Sequence, residues 1–233
     1  MDPSILAIDN ATRVYVLRKH RDGGVRIPNP DSLIITKSVA IGAGTVILPG
    51  TILCGETTIG ANCVIGPNSF LCDTAVGDNT ALNNVHSEDV TIGAGCEIGP
   101  WVRLRPGTAL GDGLRIGNFV ELKNARVGDE TKIAHLSYIG DAAFGKRVNV
   151  GCGLAVANYD GEKKHRTVVE DDAFIGCHNA LVSPVRVGAG AYTAAGSVIT
   201  EDVPAGGFTI ARARQVNKSG CRRQDTGVRE GES

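Results

Sequence analysis

The sequence predicts an all-β protein whose chain winds into a parallel β-helix of hexapeptide repeats. Three observations support this fold class. An aliphatic residue recurs at every sixth position through most of the span 39–200. Glycine often follows that residue, and the chain contains 31 glycines. Aromatic residues make up only 4% of the chain, although they supply much of the buried area in packed helical or sandwich cores.

The six-residue period defines a central domain, which we expect over residues 34–204. The apolar positions are Ile41, Ile47, Leu53, Ile59, Ile65 and Leu71, then Ile92, Ile98, Leu104, Leu110, Ile116 and Leu122, and, after single-residue slips, Val127, Ile133, Ile139, Phe144, Val150, Val156, Val169, Ile175, Leu181, Val187 and Ile199. Each hexapeptide predicts a short strand and a turn, and three of them close a triangular coil of about 18 residues around an aliphatic axis. A sandwich would not keep an identical strand spacing.

The chain on either side of the repeat predicts two smaller segments. In the N-terminal extension, residues 1–33, apolar runs at 14–17 and 25–27 flank Asp22, Gly23 and Gly24, which predicts a small hairpin. Residues 205–233 predict a C-terminal segment that ends in a polar tail. Neither the predicted hairpin nor the polar tail at 217–233 carries a catalytic pattern.

Composition narrows the class of protein. The net charge of −1 and the absence of a long block of like charge argue against binding to nucleic acid or to an anionic membrane. No apolar run has the length of a signal peptide or a membrane span, so we expect a cytoplasmic protein. The seven cysteines include no C-x-x-C pair, which favours reduced thiols over disulfides or a zinc site.

The repeat is interrupted by a polar segment at 157–167, which predicts a loop that leaves the coil and contributes to function. Upstream, Lys123 follows Arg105 at the length of one predicted coil. That spacing stacks one cation over the other at about 4.8 Å, and two like charges so placed favour a bound anion such as phosphate. His135, with the hydroxyl of Tyr138 nearby in sequence, is a candidate general base for an amine. A surface histidine without function is the alternative.

The same residues lie in strings that resemble the acetyltransferase domain of the GlmU family. The strings are IGPWVRLRPGTAL, IGNFVELKNARVG, AHLSYIGDA, VNVGCG, NYDG and LVSPVRVGAGAYTAAGSVIT, and with ARARQVNKSG they extend over about residues 92–216. The resemblance implies a left-handed β-helix and transfer of an acetyl group from acetyl-CoA to glucosamine 1-phosphate. The Gly-rich opening LAAGxGTRM of the family's uridylyltransferase half does not occur before Ile34. We therefore expect a separately encoded uridylyltransferase as a partner.

The resemblance also implies a role for individual residues. It makes His135 the general base, and it assigns Arg105, Lys123 and Tyr138 to the sugar phosphate and Asn149 to the sugar. Lys164 matches a residue that the family delivers from a neighbouring subunit of a trimer. The acetyl-CoA positions are Asn158, Tyr159, Ala195 and Arg212, together with Cys152 and Cys177, where the family usually has Ala and Ser. Transfer in the family is direct, without a metal or a covalent intermediate.

Two further expectations concern assembly and competing functions. A three-sided prism offers flat faces for packing, and the segment 157–167 is too polar to fold back on its own coil, so we expect a homotrimer. The competing functions are acetylation of a related, nucleotide-linked amino sugar or a sugar hydroxyl, and a catalytically silent β-helix scaffold.

Overall fold

The computed structural model describes residues 8–218 and shows the left-handed parallel β-helix that the repeat and the resemblance predict. About ten coils stack along one axis, and each coil contributes strands to three flat faces, here called A, B and C. All strand pairs between coils are parallel in the described residues, as in Leu104 with Leu122. Within this part of the chain, no helix is long and apolar enough to cross a membrane.

The three faces are built mostly from very short strands. Face A contains β1 (Ile34–Ile35), β4 (Ile52–Cys54), β11 (Val102–Leu104), β16 (Ala155–Ala157), β19 (Ala180–Val182) and β22 (Val198–Ile199). Face B contains β2 (Ala40–Ile41), β5 (Thr58–Ile59), β12 (Thr108–Leu110), β17 (Thr167–Val169) and β20 (Val185–Val187). Face C contains β3 (Val46–Ile47), β6 (Val64–Ile65), β8 (Ala81–Leu82), β10 (Glu97–Ile98), β15 (Asn149–Val150), β18 (Phe174–Ile175), β21 (Tyr192–Thr193) and β23 (Phe208–Thr209).

Four longer strands bend from one face to the next. They are β7 (Phe70–Val76) and β9 (Val85–Ile92), which pass from face A to face B, and β13 (Arg115–Val127) and β14 (Lys132–Phe144), which pass through faces C, A and B. The bends define two edges that matter below. The CA edge lies between faces C and A, at His135 on β14, and the AB edge lies between faces A and B, at Gly140 and Asp141 on the same strand.

The core is the predicted aliphatic column. Every residue of the predicted frame is buried except Ile41, which is partly buried. Thr193, which interrupts the apolar frame, is also buried, and its hydroxyl accepts a hydrogen bond from the Gly176 amide at 3.2 Å. Stacked coils thus bury one continuous column, so a defect in one coil is felt mainly by its neighbours.

The N-terminal extension differs from the predicted hairpin. Residues Asn10–Asp22 form helix α1, whose Val16, Leu17 and His20 are buried against the first coils. The Asp9 side chain caps the helix by accepting a hydrogen bond from the Thr12 amide at 2.9 Å. The hairpin prediction is wrong because burial on one face of a helix outweighs the strand propensity of residues 14–17.

The limits of the β-helix are also wider than predicted. Residues 25–27 do not pair with 14–17; instead Arg26 forms a parallel bridge with Val46 on face C. A turn of 3-10 helix, Pro30–Ser32, then leads into β1. At the other end, the final strand Phe208–Thr209 lies beyond residue 204 and pairs with β21. The predicted polar tail from residue 219 onward lies outside the described residues.

Candidate functional site

Several predicted residues lie in one line along the CA edge. They are His135, Cys152, Cys177, Ala195 and Arg212, here called the base column. Successive coils stack at this edge, because the Gly153 amide donates to the His135 carbonyl at 3.3 Å and the His178 amide donates to the Cys152 carbonyl at 2.6 Å. The proposed base and four of the six residues assigned to acetyl-CoA therefore follow one another along this edge, whereas Asn158 and Tyr159 lie at the start of the loop.

The top of the base column is formed by Ala195 and Arg212. Ala195 is exposed, and the next residue, Gly196, donates its amide to the Cys177 carbonyl at 2.8 Å. The Arg212 side chain passes over Gly196, since a Cβ atom built on that glycine would lie 3.6 Å from Arg212 Cδ. A cation thus stands at the end of the column, where it can meet an anionic group.

The His135 imidazole is exposed and held by one hydrogen bond. Its Nδ1 lies 3.2 Å from Oδ1 of Asn118, the residue directly beneath it in the register of β13 and β14. An amide oxygen only accepts, so Nδ1 carries the hydrogen and Nε2 keeps its lone pair. This tautomer is the one that a general base working through Nε2 needs.

A groove of about 820 Å³ leads to the imidazole along the CA edge, and its last lining residues are Asn118 and His135. Sequence reasoning missed Asn118, although it precedes His135 by one coil and so occupies the equivalent position of the repeat. The groove therefore ends at the exposed His135 side chain.

The second group of predicted residues forms a cation cluster at the AB edge, composed of Arg105, Lys123 and Lys164. Lys123 stacks one coil above Arg105, as the coil spacing predicted. The Lys164 side chain lies against Lys123, and this contact, with Arg105 further away, lowers the pKa of Lys123. Arg105 is paired with Glu121 at 2.9 Å, whereas neither lysine has an ion pair in residues 8–218. A bound anion would relieve the repulsion between the two lysines.

The segment 157–167 leaves the coil as predicted but does not stand away from it. The coil that contains it is longer than its neighbours, because the chain runs from Val156 to Leu181 before it returns to the same position of face A. Inside the segment, the Asp160 carboxylate accepts hydrogen bonds from the amides of Glu162 and Lys163, both at 2.8 Å, and faces His165 Nε2 at 2.6 Å.

These contacts make the loop compact. The amide of Lys163, followed by the His165 ring, holds the pKa of Asp160 far below its usual range. Lys164 forms an antiparallel bridge with Tyr159 and contacts Lys123 of its own chain. The expectation that this segment is too polar to rest on its own coil was therefore wrong.

Tyr138 and Asn158 meet beside the cation cluster. Tyr138 lies on the outer side of face A, and Asn158 is buried at the start of the loop. A Cβ atom at Gly140 would lie only 2.5 Å from the Tyr138 hydroxyl and 2.8 Å from Asn158 Nδ2. Gly140, which sequence analysis assigned only to the repeat, is therefore needed for the close approach of these two side chains.

Within one chain, the base column and the cation cluster lie at different edges of face A. His135 and Gly140 are separated by five residues of β14, a path of up to roughly 16 Å. Asn149 lies on face C, where it pairs with Lys132 and Phe174, and so belongs with the base column rather than with Lys123. The structure thus brings the predicted site residues together in two half-sites at opposite edges of face A.

The described cysteines fall into a buried group and an accessible pair in the base column. Four described cysteines are buried, and burial raises the pKa of each of them, to about 12 for Cys54. Cys152 is half-buried and Cys177 is exposed, both in the base column. Among the described residues, no three His, Cys, Asp or Glu side chains cluster as metal ligands.

Comparison with known proteins identifies relatives of the whole repeat region. The family of bacterial transferase hexapeptides (six repeats) matches residues 38–73 and 89–124, and the hexapeptide repeat of succinyl-transferase matches residues 166–201. The bifunctional protein GlmU of Caldicellulosiruptor saccharolyticus is 49% identical over 216 residues, which are 93% of this chain and 47% of that protein. GlmU of an Exiguobacterium species is 51% identical over 197 residues, which are 84% of this chain and 44% of that protein.

The chain therefore spans about half the length of the curated relatives it matches. Among solved structures, the Arabidopsis UDP-N-acetylglucosamine acyltransferase aligns with a TM-score of 0.47 at 16% identity, over 81% of this chain and 70% of that chain. At that similarity the alignment carries no functional argument. The sequence relatives give the stronger comparison, because they match the segments that contain both half-sites.

Proposed function

We propose an acetyl-transfer reaction for this chain from one premise: the chain belongs to the GlmU family of hexapeptide-repeat transferases. The proposed reaction moves the acetyl group of acetyl-CoA to the amine of an amino-sugar phosphate, with glucosamine 1-phosphate as the expected acceptor. The product would pass to a uridylyltransferase. The proposed location is the cytoplasm, where acetyl-CoA and sugar phosphates would both be at hand.

The observation that carries the proposal is the orientation of His135 at the foot of the base column. Its Nε2 has no hydrogen-bond partner among residues 8–218, and Cys152, Cys177, Ala195 and Arg212, which are assigned to acetyl-CoA, continue upward from it along the same edge. The amine nitrogen attacks the thioester carbonyl, the carbon–sulfur bond breaks, and the amine proton passes to His135 Nε2. The CoA thiolate leaves and takes up a proton, so no metal or covalent enzyme intermediate is needed for the balance.

The cation cluster supports a phosphate on the acceptor. Lys123 and Lys164 lie side by side without an ion pair in the described chain, and Arg105 lies one coil below. Charge-assisted contacts of this kind favour a sugar phosphate over an uncharged sugar. A related amino sugar that carries its phosphate within a nucleotide would meet the same cluster, so the acceptor panel must include one.

The separation of the half-sites supports assembly from more than one chain. A glucosamine 1-phosphate bound within one chain would have to bridge His135 at the CA edge and Lys123 at the AB edge, across face A. We therefore propose a homotrimer in which the base column of one copy faces the cation cluster of the next, as the family resemblance implies for Lys164.

The experiment that tests the function measures CoA thiol release with glucosamine, glucosamine 1-phosphate and a nucleotide-linked amino sugar. The parent should act on the 1-phosphate, and His135→Ala should lower kcat by about 10²–10⁴-fold while leaving acetyl-CoA affinity nearly unchanged. His86→Ala is the matched control, because His86 pairs with Glu88 on face A well below the site.

Two results would contradict the proposal. A His135→Ala variant that keeps more than about a tenth of the parent kcat would require another proton acceptor. Equal activity on glucosamine and glucosamine 1-phosphate would show that the cation cluster does not bind the phosphate of the acceptor. A parent without any acetyl transfer to the panel would leave the scaffold function as the better account.

A further inference from the structure

A short ladder of polar side chains crosses the AB edge next to the cation cluster. Asp141 stands between two amides: Asn124 Nδ2 donates to its Oδ1 at 2.6 Å, and Asn158 Nδ2 donates to its Oδ2 at 2.5 Å. The three side chains come from equivalent positions of consecutive coils. Both carboxylate oxygens of Asp141 are therefore used, and one of them holds the buried residue from which the loop departs.

The same carboxylate faces the two lysines. The charged groups around it are Lys123 on β13 and Lys164 in the loop. Arg105 lies one coil below Lys123, and its partner Glu121 precedes Lys123 by two residues on β13. Partial burial opposes ionisation of Asp141, but the two amide hydrogen bonds and the two lysines outweigh it and hold its pKa below the usual value. Asp141 is thus a carboxylate held by two amides beside the two lysines.

We propose that Asp141 is a positioning residue of the acetyl-transfer site, which fixes the Asn158 amide at the start of the loop and places a carboxylate beside Lys123 and Lys164. This inference rests on the proposed function. It connects the residue assigned to the acetyl group with the residues assigned to the phosphate, since one carboxylate contacts Asn158 and faces both lysines. Asp141 itself touches neither substrate nor the reacting atoms in this role.

The alternative is that Asp141 only stabilises a tight corner. Its φ of 49° is a left-handed conformation that Asp and Asn tolerate better than other residues with a Cβ atom. Asp89 provides a comparison, because it has a φ of 52°, occupies the same edge three coils lower and has no side-chain hydrogen bond among the described residues. An effect of Asp141 that Asp89 lacks cannot come from the backbone conformation alone.

Three variants separate the two contributions of Asp141. Asp141→Asn removes the charge, while its amide oxygen still accepts from Asn158 and Asn124 can turn its own amide to accept from the new side chain. Asp141→Ala removes both the charge and the hydrogen bonds. Asp89→Ala measures the effect of alanine at a left-handed position of the same edge. Thermal unfolding of all three variants confirms that they fold.

The first readout is steady-state kinetics as a function of pH. In Asp141→Asn, Lys123 should lose its proton at lower pH, so the alkaline limb of kcat/KM for glucosamine 1-phosphate should move down by about half a pH unit or more. In Asp141→Ala, kcat should also fall by about tenfold or more, because Asn158 loses its acceptor. Asp89→Ala should show neither change.

The second readout needs no activity, so it separates failure of this inference from failure of the proposed function. Limited trypsin digestion followed by mass spectrometry measures cleavage after Lys163, Lys164 and Arg166. Cleavage should be several-fold faster in Asp141→Ala than in the parent and unchanged in Asp89→Ala. An Asp141→Ala variant that matches Asp89→Ala in kcat and in cleavage, or an unmoved alkaline limb in Asp141→Asn, would overturn the inference. A parent that transfers no acetyl group would overturn the proposed function. The digestion would still test whether Asp141 fixes the loop through Asn158.

Discussion

At the scale of single residues, the hydrogen bond between Asn118 and His135 should have a measurable effect on catalysis. Asn118→Ala should lower kcat by roughly threefold to tenfold, since a neutral hydrogen bond contributes about 0.5–1.5 kcal/mol and its loss frees the ring to rotate. Asn118→Asp is the informative comparison, because it keeps an acceptor and adds a negative charge that favours the imidazolium. The rise of activity with pH should therefore shift to higher pH in Asn118→Asp. An unshifted profile would show that Asn118 does not contact the titrating group.

The thiols give a prediction that tests the acetyl-CoA position directly. Iodoacetamide should modify the exposed Cys177 first and Cys152 more slowly, whereas Cys54, Cys63, Cys72 and Cys96 should stay unmodified in the folded protein because burial raises their pKa. Saturating acetyl-CoA should slow modification of Cys177, and peptide mass spectrometry measures both rates. Equal rates with and without acetyl-CoA would place the cofactor away from the base column.

The side chains that hold these groups in place were harder to predict than the groups themselves. The spacing of Arg105 and Lys123 was enough to stack them, because the coil that links them has the 18 residues of the predicted repeat. Asn118 and Asp141 were missed, because an amide or carboxylate at a corner of a repeat is indistinguishable from an ordinary turn residue until its partner is known. Asn118 contacts His135, and Asp141 contacts Asn158, in each case from one coil to the next.

At the scale of elements, the period of six was sufficient for the β-helix, because every coil repeats the same burial pattern. It gave no information about α1, which lies outside the repeat and buries residues of the helical period against the first coils. The Asp9 cap was present in the sequence, but the β-branched and aromatic residues at 14–17 favoured a strand. Tertiary burial decided between the two, and no local pattern contains that information.

Helix α1 also predicts a pH dependence of stability. His20 is buried, its Nε2 has no hydrogen-bond partner in the described chain, and burial lowers its pKa. Because its pKa is lower in the folded protein than in the unfolded chain, the unfolded state binds protons first as the pH falls through about 6.5, and stability decreases.

The measurement is thermal unfolding at pH 7.5 and pH 5.5. The decrease in melting temperature from pH 7.5 to pH 5.5 should be smaller in His20→Leu than in the parent. The control His86→Leu changes a half-buried residue away from α1 and should show the same decrease as the parent. An identical loss in His20→Leu would show that another group controls the acid side of the stability profile.

At the scale of the whole molecule, the arrangement of the site residues was beyond the sequence. His135 follows Lys123 by only two hexapeptides, and linear distance suggested one compact site. On a triangular coil, two hexapeptides correspond to two faces, so the two residues lie at different edges and in different coils. The same prism that makes the fold easy to predict thus divides the site between two edges of face A, and the proposed homotrimer would join its halves across two chains.

Mixed assemblies test this division. His135→Ala lacks a working base column and Lys123→Ala lacks a working cation cluster, so each alone should be weakly active at low acceptor concentration. When the two chains are unfolded together, mixed in equal amounts and refolded, a site that joins the base column of one copy to the cluster of the next is intact with a probability of about one quarter. Activity of the mixture should approach about a quarter of the parent value. A mixture of Arg105→Ala with Lys123→Ala is the control, because both changes affect the same half-site and no arrangement of the two chains restores it. A first mixture no more active than the mean of its components would mean that His135 and Lys123 serve a site within one chain, and the edges of the β-helix would have to bend toward each other in a way that this structure does not show.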